Sequence, residues 1–374
     1  MTHAEIEKTP LVVSDALRCY PLYVPATRRT SERAWFDVFA LSETCFAVSI
    51  GNVAGAGGDS AAIVRAIRRT FGPSDVQTGP KKLLLAADAM LREAASAATF
   101  ATAIVGIIDS TEQTFTYVSA GHPPPFMRFA DGSVSALPAD GLPIGLIECE
   151  YPPAQVVVDL RAAGLVLLYS SMVVQATKNV SDGLERLRHV LADDRLAHCS
   201  SPAAWIARRM LADTSHAEAA LLALTFPPRP HAESGPPPAG VAPRWTVSWS
   251  FDSKGAASLG ARHAFLGCLN SKHTGVPIDL AAAELIFGEL LGNVVRHAPG
   301  PVEISLDWTD TLPVLHVLDN GPGFRSRRKR ERLPVDDWSE SGRGLFIVNA
   351  CAVSFTVRNR HGRGTHASAT LPPA

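Results

Sequence analysis

Two rhythms of apolar residues run along the chain. Short blocks bounded by Gly, Pro and polar residues, CFAVSI (45–50), TFTYVSA (114–120), AQVVVDL (154–160), GLVLLYS (164–170) and ALLALTF (220–226), predict strands. Between them a 3.6-residue period predicts helices over about 59–71, 80–98 and 201–212. The period vanishes over 227–243, PPRPHAESGPPPAGVAP, which reads as a semi-extended linker. Beyond it come a strand, RWTVSWSF, helices over about 256–273 and 279–297, strands at 302–308 and 313–319, and two last strands, SFTVRN and HASATL. Both halves mix helices with mainly antiparallel strands, an α+β pattern.

Composition narrows the classes. A chain of 374 residues accommodates two cores, and the domains read as 1–226, a 227–243 linker and 244–374. With 46% hydrophobic and 19% charged residues and a formal charge of -1, nothing pulls the whole molecule towards nucleic acid or a membrane. Six cysteines at 19, 45, 149, 199, 268 and 351 form no CxxC pair, which argues against a zinc site or a disulfide framework. There is no basic-then-apolar leader and no run long enough to span a bilayer, so a cytoplasmic location is expected.

In the C-terminal half, AAAELIFGELLGNVVRHA places Glu289, Asn293 and His297 four residues apart on one helix face. The other face, with Leu285, Ile286, Leu290, Leu291 and Val294, is assigned to a core. Taken alone, the polar triplet fits a solvated face as well as a site. Two further motifs favour the site. LHVLDNGPGF ends a strand in Asp319 and turns through Gly321 and Gly323, and SGRGLFIV supplies Gly342 and Gly344 at the start of an apolar helix. An aspartate at a strand tip can accept the exocyclic amine of adenine, and bare backbone amides suit phosphate oxygens. The polar stretch between them, RSRRKRERLPVDDWSESG, has six basic residues within 325–332 and reads as a lid or a solvated charge run.

Residues 245–374 thus resemble the GHKL ATPase superfamily and, within it, anti-sigma factor serine kinases of the RsbW and SpoIIAB type. The resemblance implies an α/β two-layer ATP-binding sandwich. It implies that Asn293 holds the Mg²⁺ of bound ATP, that Asp319 reads adenine beside Gly321 and Gly323, that Gly342, Arg343 and Gly344 close on the phosphates, and that Thr365 sits near the base. Glu289 matches the family's candidate general base, which takes the proton of an attacking serine hydroxyl.

The N-terminal half raises a different question. IGNVAGAG (50–57) runs from a strand into a Gly-rich turn before a helix, a common setting for a phosphate or metal, yet the polar side chain at the tip is the neutral amide of Asn52. Residues 19–226 resemble the SpoIIE and RsbU branch of metal-dependent serine/threonine phosphatases, through SERAWFDVF, FAVSIGNVAGAG, FTYVSAGHPPPFMRFADGSV, GLPIGL, GLVLLYSSMVVQAT and SHAEAALLALTF. The resemblance implies an αββα sandwich with two metals held by aspartates. Here the four matching positions are Ala34, Asn52, Ser171 and Ala217, none a carboxylate, so bound Mn²⁺ or Mg²⁺ is not expected in this half. Asp37, Asp59 and Glu218 remain nearby in sequence, off the matched positions, and Gly121, His122 and Pro123 to Pro125 read as a rigid turn.

Together these resemblances imply a partner-switching regulator of bacterial transcription or signalling. An ATP- and Mg²⁺-dependent serine/threonine kinase would act on a STAS-type anti-sigma factor antagonist, with a sigma factor as a second possible partner, beside a pseudophosphatase that recognises or gates. The alternatives are a phosphatase still active with unusual ligands and a protein that only binds ATP. Neither nucleic acid nor membrane is expected as a partner, and homodimerisation is left open.

Overall fold

The computed structural model describes residues 11–14, 17–25, 33–55, 60–72, 79–94, 99–148, 151–175, 179–212, 218–226, 244–252, 259–270, 276–308, 311–323, 343–360 and 363–374. The chain divides into two compact units, Met1–Glu148 with Pro153–Pro243, and Cys149–Pro152 with Arg244–Ala374. The linker, the basic stretch 325–342, and Asp59, Ala217 and Gly342 lie outside the described residues.

The first unit contains strands β1 (Leu11–Ser14), β2 (Leu17–Val24), β3 (Ala34–Ala40), β4 (Cys45–Ala54), β5 (Phe100–Asp109), β6 (Thr114–Ala120), β7 (Phe126–Phe129), β8 (Val134–Ala136), β9 (Gln155–Asp159), β10 (Ala163–Tyr169) and β11 (Ala219–Thr225). Its helices are α1 (Ser60–Thr70), α2 (Pro80–Ala94), α3 (Met172–Gln175), α4 (Val180–Ala192) and α5 (Pro202–Met210). One sheet runs β1-β2-β11-β10-β7-β8, and the other orders β9-β6-β5-β4-β3. The pairings given within them are antiparallel.

Alternation along each strand sorts its side chains into two layers. Ala47 and Val53 of β4 and Ala101, Ala103 and Val105 of β5 join Val64, Ile67, Leu83, Leu84 and Ala87 of α1 and α2 in one core. Leu165, Leu167 and Tyr169 of β10 and Leu221 and Ala223 of β11 join Leu187, Leu191, Ile206 and Met210 of α4 and α5 in another. The intervening positions, among them Ile50, Ile104, Val166, Leu168 and Leu222, are equally buried. Burial on both faces explains why these strands read as nearly continuous apolar runs. The result is the αββα sandwich.

The second unit contains β12 (Trp245–Asp252), α6 (Leu259–Asn270), α7 (Leu280–His297), β13 (Pro301–Asp307), β14 (Val314–Asp319), α8 (Arg343–Cys351), β15 (Ser354–Asn359) and β16 (Thr365–Thr370). Its strands order β15-β16-β14-β13-β12, antiparallel throughout. α7 starts where Asp279 caps it, its carboxylate accepting from the Ala282 amide at 3.0 Å. The helix buries Ala283, Ile286, Phe287, Leu290, Leu291 and Val294, a stripe at three- and four-residue spacing. Leu285, expected in that core, is 45% exposed. It stands one helical step outside the stripe, and Phe287 fills the interior, stacked on Phe265 of α6 with ring centroids 4.3 Å apart.

Candidate functional site

In the second unit the residues assigned from sequence fall into two clusters. The first surrounds Asp319, at the tip of β14 and 5% exposed. Its Oδ1 accepts from the amides of Gly321 (2.8 Å) and Thr365 (3.2 Å), and Oδ2 accepts from the Thr365 hydroxyl. A carboxylate has about four lone-pair positions. Among the described residues three are used, which leaves one for an outside donor such as an exocyclic amine. Gly323 has φ 81°, a left-handed turn that glycine permits, and carries the chain away from this tip.

Two further residues complete this cluster, neither of them assigned a role from the sequence. A β-carbon on Gly364 would lie 1.8 Å from the Asp319 carbonyl oxygen, so only glycine lets the β15–β16 turn close on the strand tip. Arg360 in the same turn donates to that carbonyl oxygen at 3.3 Å and to Asn320 Oδ1 at 3.2 Å. The signal was present in HGRGT, where Gly364 directly precedes Thr365.

The second cluster lies where α7 meets the start of α8. A β-carbon on Gly344 would lie 2.4 Å from Glu289 Oε2 and 3.7 Å from Asn293 Nδ2. The Asn293 amide nitrogen is buried and has no hydrogen-bond partner among the described residues. An orphaned buried amide costs free energy until something meets it, and a half-turn of the group presents its oxygen, a suitable ligand for a hard cation. This donor set, with the close approach of backbone that Gly344 allows and the amides of a helix N-terminus, fits a magnesium–phosphate group. The clustering brings Glu289, Asn293 and Gly344 together. His297 is exposed in the last turn of α7. Gly342 and the Arg343 side chain lie outside the described residues.

In the first unit, three of the four positions matched to phosphatase metal ligands can be placed. Ala34 on β3 stands opposite Asn52 on β4, and Asn52 stands opposite Thr102 on β5. Asn52 Oδ1 lies 3.0 Å from Thr102 Oγ1 and 3.2 Å from Ser171 Oγ. Thr102 Oγ1 is 2.9 Å from His122 Nδ1, and His122 Nε2 is 3.0 Å from the main-chain oxygen of Tyr169. A hydrogen-bonded network of uncharged groups therefore occupies the position. Burial pushes the His122 imidazole down to a pKa of about 4. The rigid-turn reading of Gly121 and His122 thus omitted a polar role. Thr102 was missed because β5, FATAIVGIID, was not recognised as a strand, although five of its ten residues are β-branched.

The neighbouring carboxylates are engaged elsewhere. Asp37 is clasped by Arg68, whose Nε reaches Oδ2 at 2.8 Å. Glu218 Oε1 accepts from Tyr23 Oη at 2.8 Å and from the Arg33 and Ala34 amides at 2.7 Å each. Among the described residues no three His, Cys, Asp or Glu side chains gather as a metal-holding group. Also among them, no helix is long and apolar enough to cross a membrane.

Residues 42–223 match the family described as Stage II sporulation protein E (SpoIIE), and residues 255–371 match the histidine kinase-like ATPase domain. The chain joins a SpoIIE domain to an ATPase domain. Among solved structures, the RsbU and RsbW domains of Rv1364c from Mycobacterium tuberculosis are 20% identical, with a TM-score of 0.47 over 98% of this chain and 97% of that one. The SiaA PP2C domain of Pseudomonas aeruginosa is 18% identical, with a TM-score of 0.44 over 56% of this chain and 86% of that one. The PP2C phosphatase domain and part of the regulatory domain of SpoIIE from Bacillus subtilis are 12% identical, with a TM-score of 0.44 over 56% and 63%. The neutral network around Asn52 lies in the SpoIIE domain, and the Asp319 and Glu289 clusters lie in the ATPase domain.

Proposed function

We propose that this chain is a cytoplasmic partner-switching regulator in which the ATPase domain, over 244–374, is a serine/threonine kinase and the SpoIIE domain, over 1–226, is a metal-less recognition or gating module joined to it by the 227–243 linker. The substrate would be a small STAS-type antagonist, and a sigma factor is the second partner this reading allows. The observation that carries the ATP assignment is the buried Asn293 amide nitrogen, without a partner among the described residues, next to Glu289 and Gly344. Asp319, with three of its lone pairs satisfied, would select the base through the fourth.

When bound, ATP with Mg²⁺ supplies the transferable phosphoryl group. The chain's own part is to hold it and to handle one proton. Asn293 would hold the metal, the α8 amides the phosphates, and Glu289 would accept the proton of a serine or threonine hydroxyl. The neutral groups at Ala34, Asn52 and Ser171, and the engagement of Asp37 and Glu218, support the metal-less reading of the SpoIIE domain. Transfer of label from γ-labelled ATP to a STAS protein encoded beside this chain tests the kinase. ATP binding without transfer would leave ATP as a conformational ligand only.

A further inference from the structure

The hydrogen bonds around His122 fix the direction of a proton chain. Its Nε2 faces the Tyr169 carbonyl oxygen at 3.0 Å, and a carbonyl can only accept, so Nε2 carries a hydrogen. The ring is 3% exposed, and among the described residues its hydrogen-bond partners are Thr102 and the Tyr169 carbonyl, both uncharged. A buried imidazolium without a counter-charge is costly, so the ring is neutral. Nδ1 is then a bare lone pair, and the Thr102 hydroxyl must give it its single hydrogen across 2.9 Å. None is left for Asn52, 3.0 Å away on the other side. The Asn52 group facing Thr102 must therefore donate.

We infer that Asn52 is turned with its NH₂ towards Thr102 and Ser171, heading an ordered, uncharged clasp from Asn52 through Thr102 and His122 to the Tyr169 carbonyl. The two hydrogens of one amide nitrogen serve both hydroxyl oxygens, Thr102 at 3.0 Å and Ser171 at 3.2 Å. Asn52 and Thr102 belong to β4 and β5, whereas Tyr169 ends β10 and Ser171 begins the turn into α3. The clasp therefore ties one sheet of the SpoIIE domain to the other with no metal. An aspartate has no hydrogens to give when ionised and could not head this chain. The amide is thus a working part of the fold. This inference deepens the metal-less reading of the domain and rests on it.

The test is nitrogen NMR of the full chain labelled in histidine, with the His122 signal assigned by its loss in His122→Gln. The expected spectrum at neutral pH has a pyridine-like Nδ1 and a pyrrole-like Nε2. Asn52→Asp should move His122 out of that state, because the carboxylate draws the Thr102 hydrogen to itself. It should also lower the melting midpoint by about 5 °C. Thr102→Val, close in shape and without the hydroxyl, should shift the Nδ1 signal even if Asn52→Asp does not fold. A proton on Nδ1 in the unmodified protein, or a His122 spectrum unaltered by Thr102→Val, would overturn the clasp. Added Mn²⁺ should leave the His122 signal sharp. Paramagnetic broadening with the tautomer unchanged would instead overturn the metal-less reading, so the two failures are distinguishable.

Discussion

Gly344 opens α8 directly against Glu289 of α7, so close that a β-carbon there would stand 2.4 Å from the carboxylate oxygen. The obstructing atom is the far end of a flexible side chain, so Gly344→Ala should cost little stability. The carboxylate must swing away, however, and a general base acts only in place. Gly344→Ala should keep the melting midpoint within a few degrees and slow phosphoryl transfer about tenfold or more. Glu289→Gln, which keeps size but loses the base, should retain ATP affinity by calorimetry and slow transfer by about 10² to 10⁴. Transfer at the native rate in both variants would remove Glu289 from the mechanism.

The Asp319 cluster separates an affinity effect from a folding effect. Thr365→Val removes the hydroxyl that donates to Oδ2 and should weaken ATP binding about tenfold, roughly the worth of one buried hydrogen bond. Asp319→Ala should abolish selective ATP binding. Gly364→Ala should act on the fold instead, because its β-carbon would meet backbone at 1.8 Å and its φ of 92° disfavours other residues. A loss of about 2 to 4 kcal/mol in denaturant unfolding is expected. Equal ATP affinity in native protein, Thr365→Val and Asp319→Ala would refute the base pocket.

Much of this was legible in the sequence because Asp319 and Gly344 sit at the ends of strongly apolar elements and Glu289 and Asn293 share one face of a single helix. Asp319, Gly321 and Gly344 are placed by the boundaries of β14 and α8, which the pattern located within a residue or two. Other contacts were not legible for physical reasons. Arg360 and Gly364 act through backbone approach across a turn, which leaves no periodic trace. Thr102 meets Asn52 only once β5 is known to pair with β4 in that register. α4, VSDGLERLRHVLA, was passed over although it buries Leu187 and Leu191 at a four-residue spacing. Its many charges face outward and dilute the pattern.

His122 gives the SpoIIE domain a signed pH dependence. Its pKa falls from an ordinary value near 6.5 to about 4 in the folded protein because burial disfavours the charged ring. As the pH drops below 6.5, the unfolded chain takes up this proton and the folded one does not. The contribution is therefore full above pH 6.5 and is lost progressively down to about pH 4, by an order of 2 to 3 kcal/mol. Denaturant unfolding at pH 7.5 and pH 4.5 should show a stability gap between native protein and His122→Gln that narrows at the lower pH. A gap that widens there would mean that the folded protein holds His122 charged.

The last expectation concerns what the SpoIIE domain should fail to do. With Ala34, Asn52 and Ser171 at the matched positions, and Asp37 and Glu218 already bound to Arg68 and to main-chain amides, the described residues offer no anionic cage to hold two divalent cations or to acidify a water between them. Full-length protein with Mn²⁺ should therefore not hydrolyse a phosphoserine peptide or an aryl phosphate. Replacing all four positions (Ala34→Asp, Asn52→Asp, Ser171→Asp and Ala217→Asp) should raise Mn²⁺ affinity in calorimetry, since each adds a hard, charged oxygen donor. Activity need not return with it, because the neighbouring Thr102 and His122 are hydrogen-bonded to neutral groups and not placed to orient new carboxylates. Metal-dependent hydrolysis by the unmodified protein, abolished by Asp37→Ala or Glu218→Ala, would show instead that these two carboxylates leave their present partners to form a working centre.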